Sequence, residues 1–200
     1  DEGFTSFQSS WFSEVVEKNP DTYAGNEANV LQMDLGGWSE PVSLISDKYS
    51  DFVVYNQMIY SKGELFLQQL RYVVGDSVMH EILQTYYQRW QLKHVDGSRF
   101  QAVAEEVSGM DLGTLFGQWL HDTPMFDYAV GKVQRRQQGD GWVTRVQVLR
   151  KGDGMIPVDV AVIAASDTVI VRTDGIAPRA WVDVPTRSEP KEVLIDPSVR

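Results

Sequence analysis

The spacing of apolar residues changes once along this chain, near residue 124. Before that point, apolar side chains recur every three to four residues, which is the period of an α-helix with one buried face. After it, apolar and polar residues alternate over short runs separated by Gly-Asp turns, which is typical of half-buried β-strands. The sequence therefore predicts α and β structure in separate domains, with a helical domain over residues 1–123 and a small β-sandwich over residues 124–200.

Glycine and proline residues divide the helical half into segments. The first predicted helix, over residues 3–17, presents Phe4, Phe7 and Trp11 on one face. Residues 18–49 contain several Gly and Pro breaks and are predicted to be irregular, with a short helix around residues 28–34 as an alternative. Further helices are predicted over residues 51–74, 77–91, 99–107 and 112–120.

Six short alternating runs follow the helical half. Their spacing of about 8–12 residues is typical of a β-sandwich. We predict strands at residues 128–133, 142–149, 156–162, 168–172, 180–184 and 192–195.

The net charge of −10 is concentrated in the helical half. Residues 1–122 carry 18 acidic and 7 Lys or Arg side chains, whereas residues 123–200 carry 10 and 11. An acidic surface repels phosphate backbones, so we expect no nucleic-acid partner. It would suit a cationic ligand such as a free amino terminus, or it is simply a solvated face. The sequence has no cysteine, which excludes disulfides and thiolate metal sites. It also has no run of about 18 apolar residues, so we expect no membrane span.

Two short motifs and one longer run resemble segments of a known enzyme family. Asp1-Glu2-Gly3-Phe4-Thr5-Ser6-Phe7 resembles the segment that carries the third zinc ligand in the aminopeptidase N-like family of zinc metallopeptidases, the gluzincins. Tyr60-Ser61-Lys62-Gly63 resembles the Tyr-x-Lys-Gly segment of that family. The run from Phe116 to Leu120, closed by Thr123-Pro124, resembles its Phe-x-Gln-Trp run. The resemblance covers most of the chain and is loosest over residues 18–50.

This resemblance implies a fold, an activity and two site residues. The expected fold is the helical C-terminal part of a thermolysin-like catalytic domain, followed by an Ig-like β-sandwich. The implied activity is zinc-dependent removal of N-terminal residues from a peptide substrate. By resemblance, Glu2 is the third zinc ligand and Tyr60 donates a hydrogen bond to the oxyanion of the tetrahedral intermediate. Tyr55 is a looser match to a second tyrosine of the family.

The sequence departs from the family at the His-Glu-x-x-His motif, which it does not contain. The nearest string begins at His80-Glu81 but has Gln84 where the second histidine belongs, and the other histidines are His94 and His121. A zinc site of this kind needs two imidazoles one helical turn apart. We therefore expect a C-terminal fragment of such a peptidase, inactive by itself, whose partner is the missing N-terminal catalytic half. Apolar surface left uncovered by that half leads us to expect self-association.

Two other hypotheses stay open at this stage. The chain could be a non-catalytic binding or structural module derived from the same fold, or a domain unrelated to peptidases. The sequence leaves the substrate specificity, the oligomeric state and the compartment open.

Overall fold

A computed structural model describes residues 2–197 of the chain. The chain forms two compact units, Asp1–Thr123 and Pro124–Arg200. The first unit is helical and the second is built from antiparallel strands. The predicted fold class, with helices first and strands second, is confirmed.

The helical unit contains regular helices, single π-helical turns and one 3₁₀ turn within the described residues. Three α-helices adjoin a π-helical turn directly: α1 and α3 run into one, and α4 continues from one. The residues at these junctions keep right-handed helical dihedral angles. The elements are α1 (Glu2–Phe12), the first π turn (Ser13–Glu17), α2 (Ala24–Gly36), a 3₁₀ turn (Ser46–Lys48), α3 (Phe52–Asn56), the second π turn (Gln57–Lys62), α4 (Gly63–Val74), α5 (Asp76–Trp90), α6 (Gly97–Ser108) and α7 (Gly113–Leu120).

Helix α2 lies in the segment that the sequence predicts to be mostly irregular. The alternative of a short helix over residues 28–34 has the right location but is too short, since α2 has 13 residues. Gly36-Gly37 marks the end of this helix: Gly37 adopts a left-handed conformation (φ 68°), which satisfies carbonyl groups of the last turn. Gly25, by contrast, lies inside the first turn of α2. Its local preference for a loop is outweighed by the packing of the helix.

Helix α4 is the centre of the helical unit. Every residue from Gly63 to Tyr72 is buried, including polar and charged ones. Phe66 packs edge-on against Phe116 of α7 at 4.9 Å between ring centroids, and Phe100 of α6 lies 5.8 Å from Phe116. Because burial on all sides removes the helix from water, its apolar residues supply much of the stability of this unit.

The strand unit contains two antiparallel three-stranded sheets within the described residues. One sheet has the order β1-β2-β5 and the other β4-β3-β6. Val146 and Val184 of the first sheet share a buried core with Val160 and Val162 of the second, which is the arrangement of a sandwich. The strands are β1 (Tyr128–Gln138), β2 (Gly141–Arg150), β3 (Val158–Ala164), β4 (Thr168–Thr173), β5 (Arg179–Thr186) and β6 (Pro190–Ile195).

Between residues 2 and 197, no helix combines the length and the apolar composition that crossing a bilayer requires.

Candidate functional site

Helices α1 and α4 touch at two glycines, one from each of the short motifs noted in the sequence. A Cβ atom on Gly3 would lie 2.8 Å from the carbonyl carbon of Gly63, and a Cβ on Gly63 would lie 3.3 Å from the Cα of Gly3. Such an approach of backbone to backbone leaves no room for a side chain at Gly3. The Glu-Gly-Phe motif and the Tyr-x-Lys-Gly motif are therefore in direct contact in the fold.

Glu2 lies at the start of α1, half-buried, and lines a cavity of about 370 Å³. The walls of this cavity are mainly apolar and aromatic, and Asp96 is the other acidic residue in its lining. The aromatic residues among them are Phe4, Tyr55, Phe66, Tyr86 and Phe100. A carboxylate at the edge of an apolar cavity is a suitable group for a cationic ligand.

Tyr60 lies in the second π turn and is 40% exposed. Its neighbours Ile59 and Gly63 line the Glu2 cavity, as does Tyr55, but Tyr60 is not part of that lining. The structure thus brings the elements that carry Glu2 and Tyr60 together without bringing both side chains into this cavity. The tyrosine that shares the cavity with Glu2 is Tyr55, the looser match to the family.

The turn that carries Tyr60 has one more residue than an α-helical turn. π-helical turns are rare, and they occur frequently at functional sites because the extra residue redirects the side chains around it. In the second π turn, Met58, Ser61 and Lys62 are buried while Tyr60 is exposed. The second π turn therefore has a buried face and a face that presents the phenol.

The described residues do not form a complete metal site by themselves. Residues 2–197 contain no group of three or more His, Cys, Asp or Glu side chains that could hold a metal ion. His80, His94 and His121 are all exposed, and Nδ1 of His121 lies 2.8 Å from the hydroxyl of Ser43. Glu2 supplies one carboxylate ligand at most, so the donor set present here does not fit a zinc ion without further ligands.

A network of polar groups is buried between α2 and the segment that follows Tyr60. The hydroxyl of Ser61 lies 3.0 Å from Oδ1 of Asn26, and Nζ of Lys62 donates to Oδ1 of Asp34 at 3.2 Å. The amide of Asn26 also donates to the carboxyl group of Glu64, which is fully buried. The sequence shows Ser61 and Lys62 as part of a motif but does not reveal their partners in α2. A glutamate within the apolar stretch of α4 is the visible signal for Glu64.

The carboxyl group of Glu64 is held in an environment that disfavours its charge. Burial raises the pKa of Glu64 above its ordinary value of 4.5, and hydrogen bonds with Ser10 and Asn26 only partly offset this effect. The neutral acid is therefore favoured in the folded protein relative to the unfolded chain.

Replacing Glu64 with glutamine is expected to stabilise the protein at pH 7 and to leave its stability unchanged at pH 4. Because the folded-state pKa is raised, the unfolded chain releases a proton that the folded protein retains. The free energy of unfolding then falls as the pH rises from about 4.5 towards the folded-state pKa. Glutamine is neutral at every pH and keeps an acceptor for Asn26. The fall in the free energy of unfolding with rising pH should therefore be absent in this variant. Urea denaturation of the wild type and of Glu64→Gln at pH 4 and pH 7 measures the difference in their free energies of unfolding.

The exposed Glu81 provides a matched control, since Glu81→Gln removes the same charge from the surface. It should change the stability little at either pH. Destabilisation by Glu64→Gln at pH 7 would contradict the interpretation, because it would mean that the ionised carboxylate is needed.

The buried Arg71 of α4 makes a second polar cluster, which connects α4 to three other elements. Its guanidinium pairs with Glu14 of the first π turn at 2.5 and 3.0 Å and with Asp76 of α5 at 2.9 and 3.1 Å. It also lies 4.6 Å from the ring centroid of Trp11. Burial opposes the charge, but the hydrogen bonds and charges of Glu14 and Asp76 outweigh it and raise the pKa of Arg71. This cluster holds α1 and its π turn against α4.

Comparison with known proteins identifies the family of the chain. No curated protein sequence matches it. A crystal structure of Legionella pneumophila aminopeptidase A in complex with aspartic acid matches it with a TM-score of 0.63 at 14% sequence identity, over 94% of this chain and 22% of that chain. At this identity the similarity shows the fold, and the chain spans about a fifth of that protein's length. The model of a protein family described as "Peptidase family M1 domain" matches residues 1–119 of the chain. The resemblance to the aminopeptidase N-like metallopeptidases is thereby confirmed, and the chain belongs to peptidase family M1.

Proposed function

We propose that these residues form part of a zinc-dependent aminopeptidase that removes N-terminal residues from peptides. Within it, Glu2 contributes one zinc ligand and Tyr60 donates a hydrogen bond to the oxyanion. The observation that carries the proposal is the contact between Gly3 and Gly63, because it brings the two motifs together across the fold. The family match over residues 1–119 supports the peptidase assignment.

The chemical properties of Tyr60 suit an oxyanion donor. A phenol is neutral near pH 7 and offers one O–H donor, which an oxyanion accepts more strongly than the carbonyl group from which it forms. Tyr60 is partly exposed while Ser61 and Lys62 beside it are buried, so a fixed backbone carries an accessible hydroxyl. Both features support a role in the transition state.

The acidic character of the helical unit supports a substrate with a free amino group. Residues 1–122 have a net charge of −11, from 18 acidic and 7 Lys or Arg side chains. Such a field raises the local concentration of cationic ligands. Glu2 and Asp96 bring carboxylates to the same cavity, which is otherwise mainly apolar.

The two histidine ligands and the general base have no counterparts in this sequence, which lacks His-Glu-x-x-His. Glu2 alone binds zinc weakly, since a zinc site needs at least three protein ligands. The 200 residues by themselves are therefore inactive, and the peptidase activity belongs to a longer polypeptide or assembly that supplies a His-Glu-x-x-His helix. Exposed apolar side chains such as Leu35, Trp38 and Phe52 favour self-association of the isolated chain.

The test compares the 200-residue chain with a longer M1 polypeptide that contains it together with a His-Glu-x-x-His helix. Calorimetric titration should show no tight zinc binding to the short chain and one tightly bound zinc per longer polypeptide. Only the longer polypeptide should release a chromophore from aminoacyl substrates. Glu2→Gln in that polypeptide should weaken zinc binding by more than the roughly 10- to 100-fold that is typical for loss of an outer-shell partner of a ligand. Light scattering of the short chain checks its self-association.

Three outcomes would contradict this proposal. Tight stoichiometric zinc binding by the short chain would mean that its own residues complete a site. A longer polypeptide that binds zinc equally well with Glu2→Gln would remove Glu2 from the metal site. A zinc-free and inactive longer polypeptide would favour the alternative function, a non-catalytic binding module.

A further inference from the structure

The residues that follow Tyr60 attach the second π turn to α2. Ser61 and Lys62 are 4% and 1% exposed, respectively, although both are polar. The hydroxyl of Ser61 lies 3.0 Å from Asn26 Oδ1, and the ammonium group of Lys62 lies 3.2 Å from Asp34 Oδ1. Tyr60 itself is the exposed residue beside this buried pair.

The two contacts lie near opposite ends of α2. Asn26 is in its first turn and Asp34 in its last, which separates them by about 12 Å along the helix axis at 1.5 Å per residue. Two polar contacts this far apart along one helix fix both the translation and the rotation of a segment packed against it. Met33 and Met58 belong to one apolar cluster that joins α2 to the second π turn, but apolar packing is less directional.

Stability alone gives little reason to keep a lysine at this place. Taking an ammonium group and a carboxylate out of water has a cost that their attraction does not always offset, and apolar residues of similar volume often give equal or greater stability. Buried ion pairs in some proteins instead select one geometry among several. A π turn is a case where selection matters, because it can relax to an α-helix by displacing its extra residue, which would rotate neighbouring side chains by about 100°.

We propose that Asn26 and Asp34 are positioning residues for Tyr60, which act through Ser61 and Lys62 to hold the second π turn in the orientation that presents the phenol. This inference rests on the proposed function of Tyr60. Asn26 and Asp34 touch neither substrate nor metal in this scheme. They fix the direction of the catalytic hydroxyl, and Asn26 is itself held by its hydrogen bond to Glu64.

The first test measures the environment of Tyr60 in the 200-residue chain, without zinc or substrate. The chain is labelled with 3-fluorotyrosine, and Tyr60→Phe assigns the ¹⁹F resonance. Asp34→Leu leaves the buried ammonium group of Lys62 without its carboxylate. Lys62→Met leaves Asp34 without its cation, although Asp34 still accepts from the hydroxyl of Ser39. Both variants should lower the denaturation midpoint, while the double variant should recover much of it. The Tyr60 resonance should be shifted in all three and in Asn26→Ala, because none of them restores the polar contacts.

The double variant separates positioning from a merely structural role. If the recovered midpoint is accompanied by a wild-type Tyr60 resonance, or if the folded single variants keep that resonance, the inference is overturned. Asp111→Ala is the control: Asp111 accepts a hydrogen bond from the backbone N–H of Gly113 at the start of α7, away from α2. It should lower the midpoint and leave the Tyr60 resonance unchanged.

The second test uses the longer M1 polypeptide. The double variant should lower kcat by about 10- to 100-fold with KM and zinc binding unchanged, because small displacements of a catalytic group have effects of this size. An unchanged kcat beside a shifted resonance would overturn the catalytic role of the positioning. Failure of the proposed function itself would be seen separately, as loss of zinc binding or hydrolysis in the unmodified longer polypeptide.

Discussion

Replacing Arg71 with methionine is expected to lower the free energy of unfolding of the helical unit by about 3 kcal/mol. Removing one partner from a buried ion pair typically costs about 3–5 kcal/mol, because the other charge stays behind without compensation. The lower end of that range applies, since the side chain of Asp76 is 62% exposed and can be solvated. Glu14, at 22% exposure, cannot be solvated as easily.

The planar guanidinium group of Arg71 makes Arg71→Lys a suitable control for this prediction. Arg71→Lys keeps the positive charge but cannot pair with Glu14 and Asp76 in bidentate fashion or stack on Trp11 in the same way. It should therefore lose less stability than Arg71→Met and remain below the wild type. Urea denaturation followed by far-UV circular dichroism, which is dominated by the helical unit, measures all three. Equal stability of Arg71→Met and the wild type would show that the cluster contributes no net stability.

The periodicity of apolar residues predicted most of the secondary structure. Alternation in the second half indicated six strands, and each has a counterpart in the structure. In the first half, the helix predicted over residues 99–107 corresponds to α6, and the carboxylate of Asp96 caps it by accepting from the backbone N–H of Arg99. These features are predictable because they depend on residues close together in the sequence.

The features around Tyr60 could not be predicted in the same way. A π turn keeps nearly the same apolar spacing as an α-helix over a few residues, so the pattern over residues 51–74 indicated one uninterrupted helix. The partner of Lys62 comes from α2, and one of the two partners of Arg71 comes from the first π turn, both far away in the sequence. The packing of the helices determines which acidic side chains form ion pairs with Lys62 and Arg71.

The motif residues Glu2 and Tyr60 have a mixed outcome. Their motifs come into contact through Gly3 and Gly63, for a reason that the sequence alone does not reveal: neither helix could approach the other so closely with a side chain at Gly3. The cavity at Glu2 is nevertheless lined by Tyr55 and not by Tyr60. The roles of Glu2 and Tyr60 therefore stay predictions, and the two tyrosines define the experiment that decides between them.

Replacing Tyr60 with phenylalanine in the longer M1 polypeptide is expected to lower kcat by about 10²- to 10³-fold, the typical effect of losing one oxyanion donor. KM and zinc stoichiometry should stay unchanged, because the hydroxyl is proposed to act in the transition state and not on the metal. Tyr87→Phe is the matched control, since Tyr87 is 66% exposed on α5 and should be silent. Tyr55→Phe completes the set: if it abolishes turnover while Tyr60→Phe does not, the donor is the tyrosine that shares the cavity with Glu2.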